Sequence, residues 1–137
     1  MLASAAFANA VFTPGPAALR DRAVVDCFTH LLRDAKLGSV DAERAAFLVL
    51  GEDGIRCVDW PVSNDFRMAR WSGPRPAGVV AVAHTHPEQF PNPSPQDIDQ
   101  AERSGITLFV LTPRMVQVVH TDRRTEILAR TADWLSQ

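Results

Sequence analysis

Residues 78–105 read GVVAVAHTHPEQFPNPSPQDIDQAERSG. The stretch opens as a nearly continuous apolar run, with Val79, Val80 and Val82 set among alanines. It predicts a strand over 78–86 that is buried on both faces. Pro87, Pro91 and Pro93 then exclude both helix and central strand. Ser94, Pro95 and Asp97 announce the next element: a hydroxyl N-cap, a proline at the first helical position and an acid in the first turn. That helix runs to Ser104 and stops at Gly105.

Upstream, residues 17–36 carry apolar side chains at helical spacing. Leu19, Val24, Cys27, Phe28, Leu31 and Leu32 share one face, and Gly38 suits a C-terminal cap. The apolar run 45–50 closes on Gly51-Glu52-Asp53-Gly54 and returns over 55–60, which is a hairpin pattern. Residues 61–76, rich in proline, serine and glycine, read as a loop with one helical turn around 65–70. Downstream, 106–112 and 115–120 form two strands about a Thr-Pro-Arg turn, and 125–135 fits either a last strand or a short helix. Residues 5–13 fit a first short strand. Hairpins mixed with two helices predict an α/β domain with a mixed sheet, not a doubly wound parallel one.

The 137 residues suit a single domain over 1–137. Hydrophobic residues at 46% and charged residues at 22% give a globular balance rather than a disordered one. With a net charge of −2 there is no basic field to gather a nucleic acid. The opening MLASAAFANAVF contains an Ala-Asn-Ala that resembles a cleavage site, but it lacks a basic leader region. No run approaches the ~20 apolar residues of a membrane span, so a soluble, cytoplasmic protein is expected. Cys27 and Cys57 match no metal motif or disulfide framework, and both are expected as reduced, partly buried thiols.

His84 and His86 stand one residue apart at a strand end. Side chains at i and i+2 face the same way, so both imidazoles can address one point. Asp97, at the start of the next helix, is the best placed third ligand, because the proline-rich loop must fold back to seat that helix. Two histidines and a carboxylate leave the fourth position of a zinc ion open, the layout of a catalytic site. Asp99 is the alternative carboxylate. His30 and His120 are single histidines, expected on the surface or satisfied by neighbours. Ser94 can cap the helix and still donate its own proton.

His84-Thr85-His86-Pro87, six residues, Ser94, two residues and Asp97 together resemble the JAMM motif of the MPN-plus metalloproteases, H-[S/T]-H-P-x6-S-x-x-D, at every defined position. The element order resembles that family's domain over most of the chain. The resemblance implies an MPN (cytidine-deaminase-like) fold, Zn2+ held by His84, His86 and Asp97, and hydrolysis by a zinc-activated water. Glu43, just ahead of an apolar strand, takes the place of the family's acid/base, and Ser94 that of the oxyanion donor. The glycines depart from the family pattern: Ala46 replaces the middle one, and Gly51 comes eight residues after Glu43 rather than seven. Glu52 is the fallback for the acid/base.

The resemblance further implies cleavage of isopeptide bonds to ubiquitin or a ubiquitin-like protein. Small members of this type are typical of bacteria and archaea. Some are encoded with activating and conjugating enzymes, including in antiviral systems. The expected partner is therefore a ubiquitin-like protein, with neither nucleic acid nor membrane. A metal hydrolase of the same fold acting on a small or peptide amide, and a non-catalytic scaffold of the same fold, are the alternatives. Trp60, Trp71 and Trp134 are expected in the core or packed on the surface, with a partner contact as the alternative for Trp71 in the long loop.

Overall fold

The structure, a computed structural model, describes residues 12–38, 42–62 and 69–135. The strand expected over 5–13 and the helical turn expected around 65–70 fall largely outside the described residues. The chain forms one mixed α/β layer system, with a central sheet of six strands: β1 (Ala45–Gly51), β2 (Gly54–Asp59), β3 (Val79–Thr85), β4 (Thr107–Thr112), β5 (Met115–Val119) and β6 (Thr125–Ala129). Their spatial order is β2-β1-β3-β4-β5-β6. Every neighbouring pair is antiparallel except β3 and β4, which run parallel. A parallel pair needs a crossover. Here it is the proline-rich loop and a helix, α2 (Pro95–Ser104).

The other helix, α1 (Arg22–Asp34), covers the opposite face of the sheet. Its apolar stripe packs Val24, Phe28, Leu31 and Leu32 onto Leu48, Ala81, Phe109 and Val118. On the second face α2 brings Ala101 and Ile98 against Val82, Leu108 and Val110, while Phe47, Trp60 and Trp71 fill the flank. Strand β3 is covered on both sides, as its unbroken apolar run requires. Ala81 and Ala83 face α1, and Val82 and His84 face α2.

Helix α1 starts later than its hydrophobic spacing suggested. Residues Pro16–Arg20 form a 3-10 turn, and Asp21 caps α1 by accepting from the amides of Ala23 at 3.0 Å and Val24 at 3.4 Å. Gly38 is not its C-cap; Ala35 is. Gly38 has φ +77° and lies against the loop after β3. A Cβ there would stand 3.1 Å from the Glu88 nitrogen and 3.2 Å from the His86 oxygen.

The expectation of two reduced cysteines is overturned: Cys27 and Cys57 form a disulfide. Cys57 lies opposite Leu48 in the β1–β2 register and so faces α1, where Cys27 occupies the buried side. Their Cα atoms are 5.6 Å apart, an ordinary disulfide span, and thirty residues separate them in sequence. The ambiguous tail resolves into both options in turn, β6 and then a 3-10 turn over Ala132–Trp134. Among the described residues, no helix is long and apolar enough to cross a membrane.

Candidate metal centre

The C-terminal end of β3 and the N-terminus of α2 meet at the mouth of the crossover, where α/β sheets commonly bind ligands. His84 is on β3, and His86 follows just beyond its end. Asp97 is the third residue of α2. Helix entry is fixed by a capping box: the Asp97 amide donates to Ser94 Oγ at 3.1 Å, and the Ser94 amide donates to Asp97 Oδ2 at 2.8 Å. That box holds the carboxylate over the two imidazoles. Its position in the first turn also sets it in the favourable field of the helix N-terminus.

His84 Nε2 lies 3.2 Å from Asp97 Oδ1, and His86 Nε2 lies 3.3 Å from Asp97 Oδ2. Each is close to the roughly 3.3 Å between two ligand atoms of a tetrahedral ion with bonds of about 2.05 Å, with the two imidazoles approaching different oxygens of the carboxylate. His84 Nε2 is fully buried yet has no hydrogen-bond partner, so its approach to Asp97 is not along a hydrogen bond. Without an ion that nitrogen has only the charge attraction of Asp97, with no aligned hydrogen bond. A divalent cation seated between the three side chains would give it a directed partner. The residues therefore fit zinc.

The outer contacts fit as well. His86 Nδ1 lies 2.9 Å from the Phe90 carbonyl, which makes Nδ1 the protonated nitrogen and frees Nε2. His84 Nδ1 lies 3.5 Å from Glu43 Oε1. The imidazole planes stand 83° apart with centroids 4.8 Å from each other, so the rings converge without stacking. Burial alone would push His84 down, but the close Asp97 and Glu43 carboxylates outweigh it and raise its pKa to about 9. Burial would likewise raise Asp97, but the two imidazoles and the Ser94 amide hold it far below the usual carboxylate range.

Glu43, Ser94, Gln96 and Gln100 line a cavity of about 240 Å³ with His84, His86 and Asp97. Thr85, between the two histidines, turns to the other side of the strand. Its Oγ1 accepts the Arg44 amide at 3.0 Å, and its own amide donates to the Arg44 carbonyl at 2.9 Å. That clamp sets Glu43 beside His84. Neither the Thr85 clamp nor the Phe90 carbonyl was foreseen from sequence. The Phe90 group is backbone and carries no side-chain signal, whereas the inward-outward alternation of a strand could have marked Thr85.

The remaining candidates sit elsewhere. Asp99 pairs with Arg123 at 2.7 Å and does not face the histidines. Glu52 is exposed in the β1–β2 turn. His120 contacts Glu126 at 3.1 Å. His30 lies 2.6 Å from Asp59 and 3.6 Å from Asp34, a second cluster with half-exposed side chains, where ion pairs contribute little. Trp71 packs edge-on against Phe47, with centroids 4.9 Å apart. A scan against protein-family models finds none that matches the chain, and a search of curated proteins finds no relative.

Proposed function

We propose that this chain is a zinc metallopeptidase of the JAMM/MPN-plus type, one that cuts a ubiquitin-like protein from its conjugates or trims its C-terminal extension. One observation carries the reading. A buried imidazole nitrogen without a hydrogen-bond partner, that of His84, converges with His86 on the two oxygens of a capped aspartate. The mixed sheet with a helix on each face and the site at the head of the crossover fit an MPN domain.

His84, His86 and Asp97 would hold the ion. Bound zinc supplies a water acidified to a pKa near 7 and a Lewis acid for the amide carbonyl. Glu43 lines the same cavity and is the group placed to take the proton of the attacking water and pass it to the leaving amine. The Ser94 hydroxyl accepts from the helix and keeps its own proton to donate to the carbonyl oxygen as negative charge builds there. Nothing in this scheme needs a covalent enzyme intermediate. The cysteines are held in a disulfide and have no part in it.

The test is metal analysis joined to cleavage of a ubiquitin-like protein with a C-terminal extension, run beside a panel of short amides. One zinc per chain is expected, removable by a chelator. Glu43→Gln should retain the zinc and lose turnover by at least about 100-fold. A chain purified and reconstituted without stoichiometric zinc would sink the enzyme reading. Cleavage confined to the short amides would move the assignment to a small-substrate hydrolase.

A further inference from the structure

A second cleft of about 360 Å³ adjoins the metal cavity and shares Trp60, Val82 and Gln100 with it. Its apolar wall is the aromatic group Phe47, Trp60 and Trp71, with centroids 4.9–6.5 Å apart. Its rim carries two guanidiniums, Arg75 from the loop before β3 and Arg103 from the last turn of α2, and among the described residues no acidic side chain lines it. Both arginines are exposed, and neither has a polar partner among the described residues.

The freedom of Arg103 has a structural cause. Asp99, one turn back on α2, is the residue that would ordinarily pair with it. Arg123, from the turn between β5 and β6, takes Asp99 at 2.7 Å and Glu102 at 3.1 Å. The carboxylates nearest to Arg103 along the helix are thus occupied, and its charge is left to the cleft. An apolar wall beside two guanidiniums that no described residue neutralises complements one chemistry: a large aliphatic or aromatic side chain next to a carboxylate.

We infer that this cleft is a specificity subsite for the substrate chain leading to the scissile amide, and that it selects an apolar residue adjacent to an acidic one. The inference rests on the metallopeptidase reading above, since the cleft gains its meaning from the cavity it joins. A substrate segment leaving the metal passes over Trp60. It lays its apolar side chain on the aromatic wall and its carboxylate between Arg75 and Arg103. A basic tail is disfavoured by the same two charges.

Fluorescein-labelled peptides ending in a zinc-chelating hydroxamate test this. Leu-Glu, Leu-Gln or Leu-Lys is stepped one to four residues ahead of that end, and binding to zinc-loaded protein is read by anisotropy. In one register Glu should bind about fivefold tighter than Gln, and Lys weakest. The preference should vanish in Arg75→Ala/Arg103→Ala. It should also shrink in Arg123→Gln, which touches no part of the cleft but releases Asp99 to Arg103. Equal binding of Glu and Gln in every register, or no peptide binding at all, overturns the subsite. Carboxamide versions of the same peptides separate the two readings. If hydroxamate and carboxamide bind alike the zinc assignment fails, while a Glu preference among carboxamides still carries the cleft.

Discussion

Asp97 shows how much one side chain can be asked to do. Its amide and carboxylate close the capping box with Ser94, and the same carboxylate faces both imidazoles. Ser94 is equally shared, between the helix and the cavity. The two duties of Ser94 can be separated, because glycine is nearly as good an N-cap as serine, within a few tenths of a kcal/mol, whereas alanine costs about 1 kcal/mol. Ser94→Gly should keep its zinc and nearly all its stability, yet lose roughly 100- to 1,000-fold in kcat, the usual effect of removing one oxyanion donor. Ser94→Ala should lose the same activity and also unfold at lower denaturant. Wild-type turnover by Ser94→Gly would leave the hydroxyl with capping alone. The meeting of His84, His86 and Asp97 was legible because its spacing is local: a strand alternation, a proline loop and a cap. Glu43 was reachable only through a family likeness. Its place beside His84 depends on the clamp between Thr85 and Arg44, which joins residues forty-one apart.

The elements were legible wherever one period dominated. The hairpin, β3, α2 and the β4–β5 pair sit within a residue or two of their expected bounds. The misreadings share a cause, which is long-range geometry. The start of α1 was placed early because apolar spacing continues through Pro16–Arg20, whereas the cap at Asp21 decides where α-helical bonding begins. The disulfide was missed because nothing local says that Cys57 faces α1. It crosslinks the edge hairpin to α1 on the face of the sheet away from His84 and Asp97. Closing a thirty-residue loop should stabilise the fold by about 3–4 kcal/mol on the chain-entropy account. Reduction, or Cys27→Ser/Cys57→Ser, should therefore lower the denaturant midpoint markedly and leave zinc content at one per chain. Loss of zinc in the reduced but still folded protein would mean that the two faces are coupled through β1.

At the scale of the whole molecule, the His84–Asp97 pair links stability to pH, and on the zinc proposal the sign differs with and without the ion. In the metal-free protein His84 is raised from 6.5 to about 9. Its contribution is fully present below about pH 6.5 and is lost as pH rises through about 9. Asp97 is shifted downward by the same contacts, so the pair is counted once. Its contribution is present above its ordinary value of 3.8 and lost as pH falls below that. Metal-free protein should thus be most stable between about pH 4 and 6.5 as far as this site is concerned, and lose roughly 3 kcal/mol between pH 6.5 and 9. Zinc needs a neutral imidazole, so its binding at pH 7 must expel a proton from His84, and its affinity must rise with pH over the same interval. Thermal unfolding with and without chelator from pH 6 to 9 should give two diverging curves, the metal-free Tm falling while the zinc-loaded Tm holds or climbs. Titration calorimetry at pH 7 in buffers of different ionisation enthalpy should register close to one proton released per zinc. Parallel curves with no proton release would mean that His84 is already neutral when the ion arrives. The carboxylates beside it would then serve to aim the ring, not to charge it.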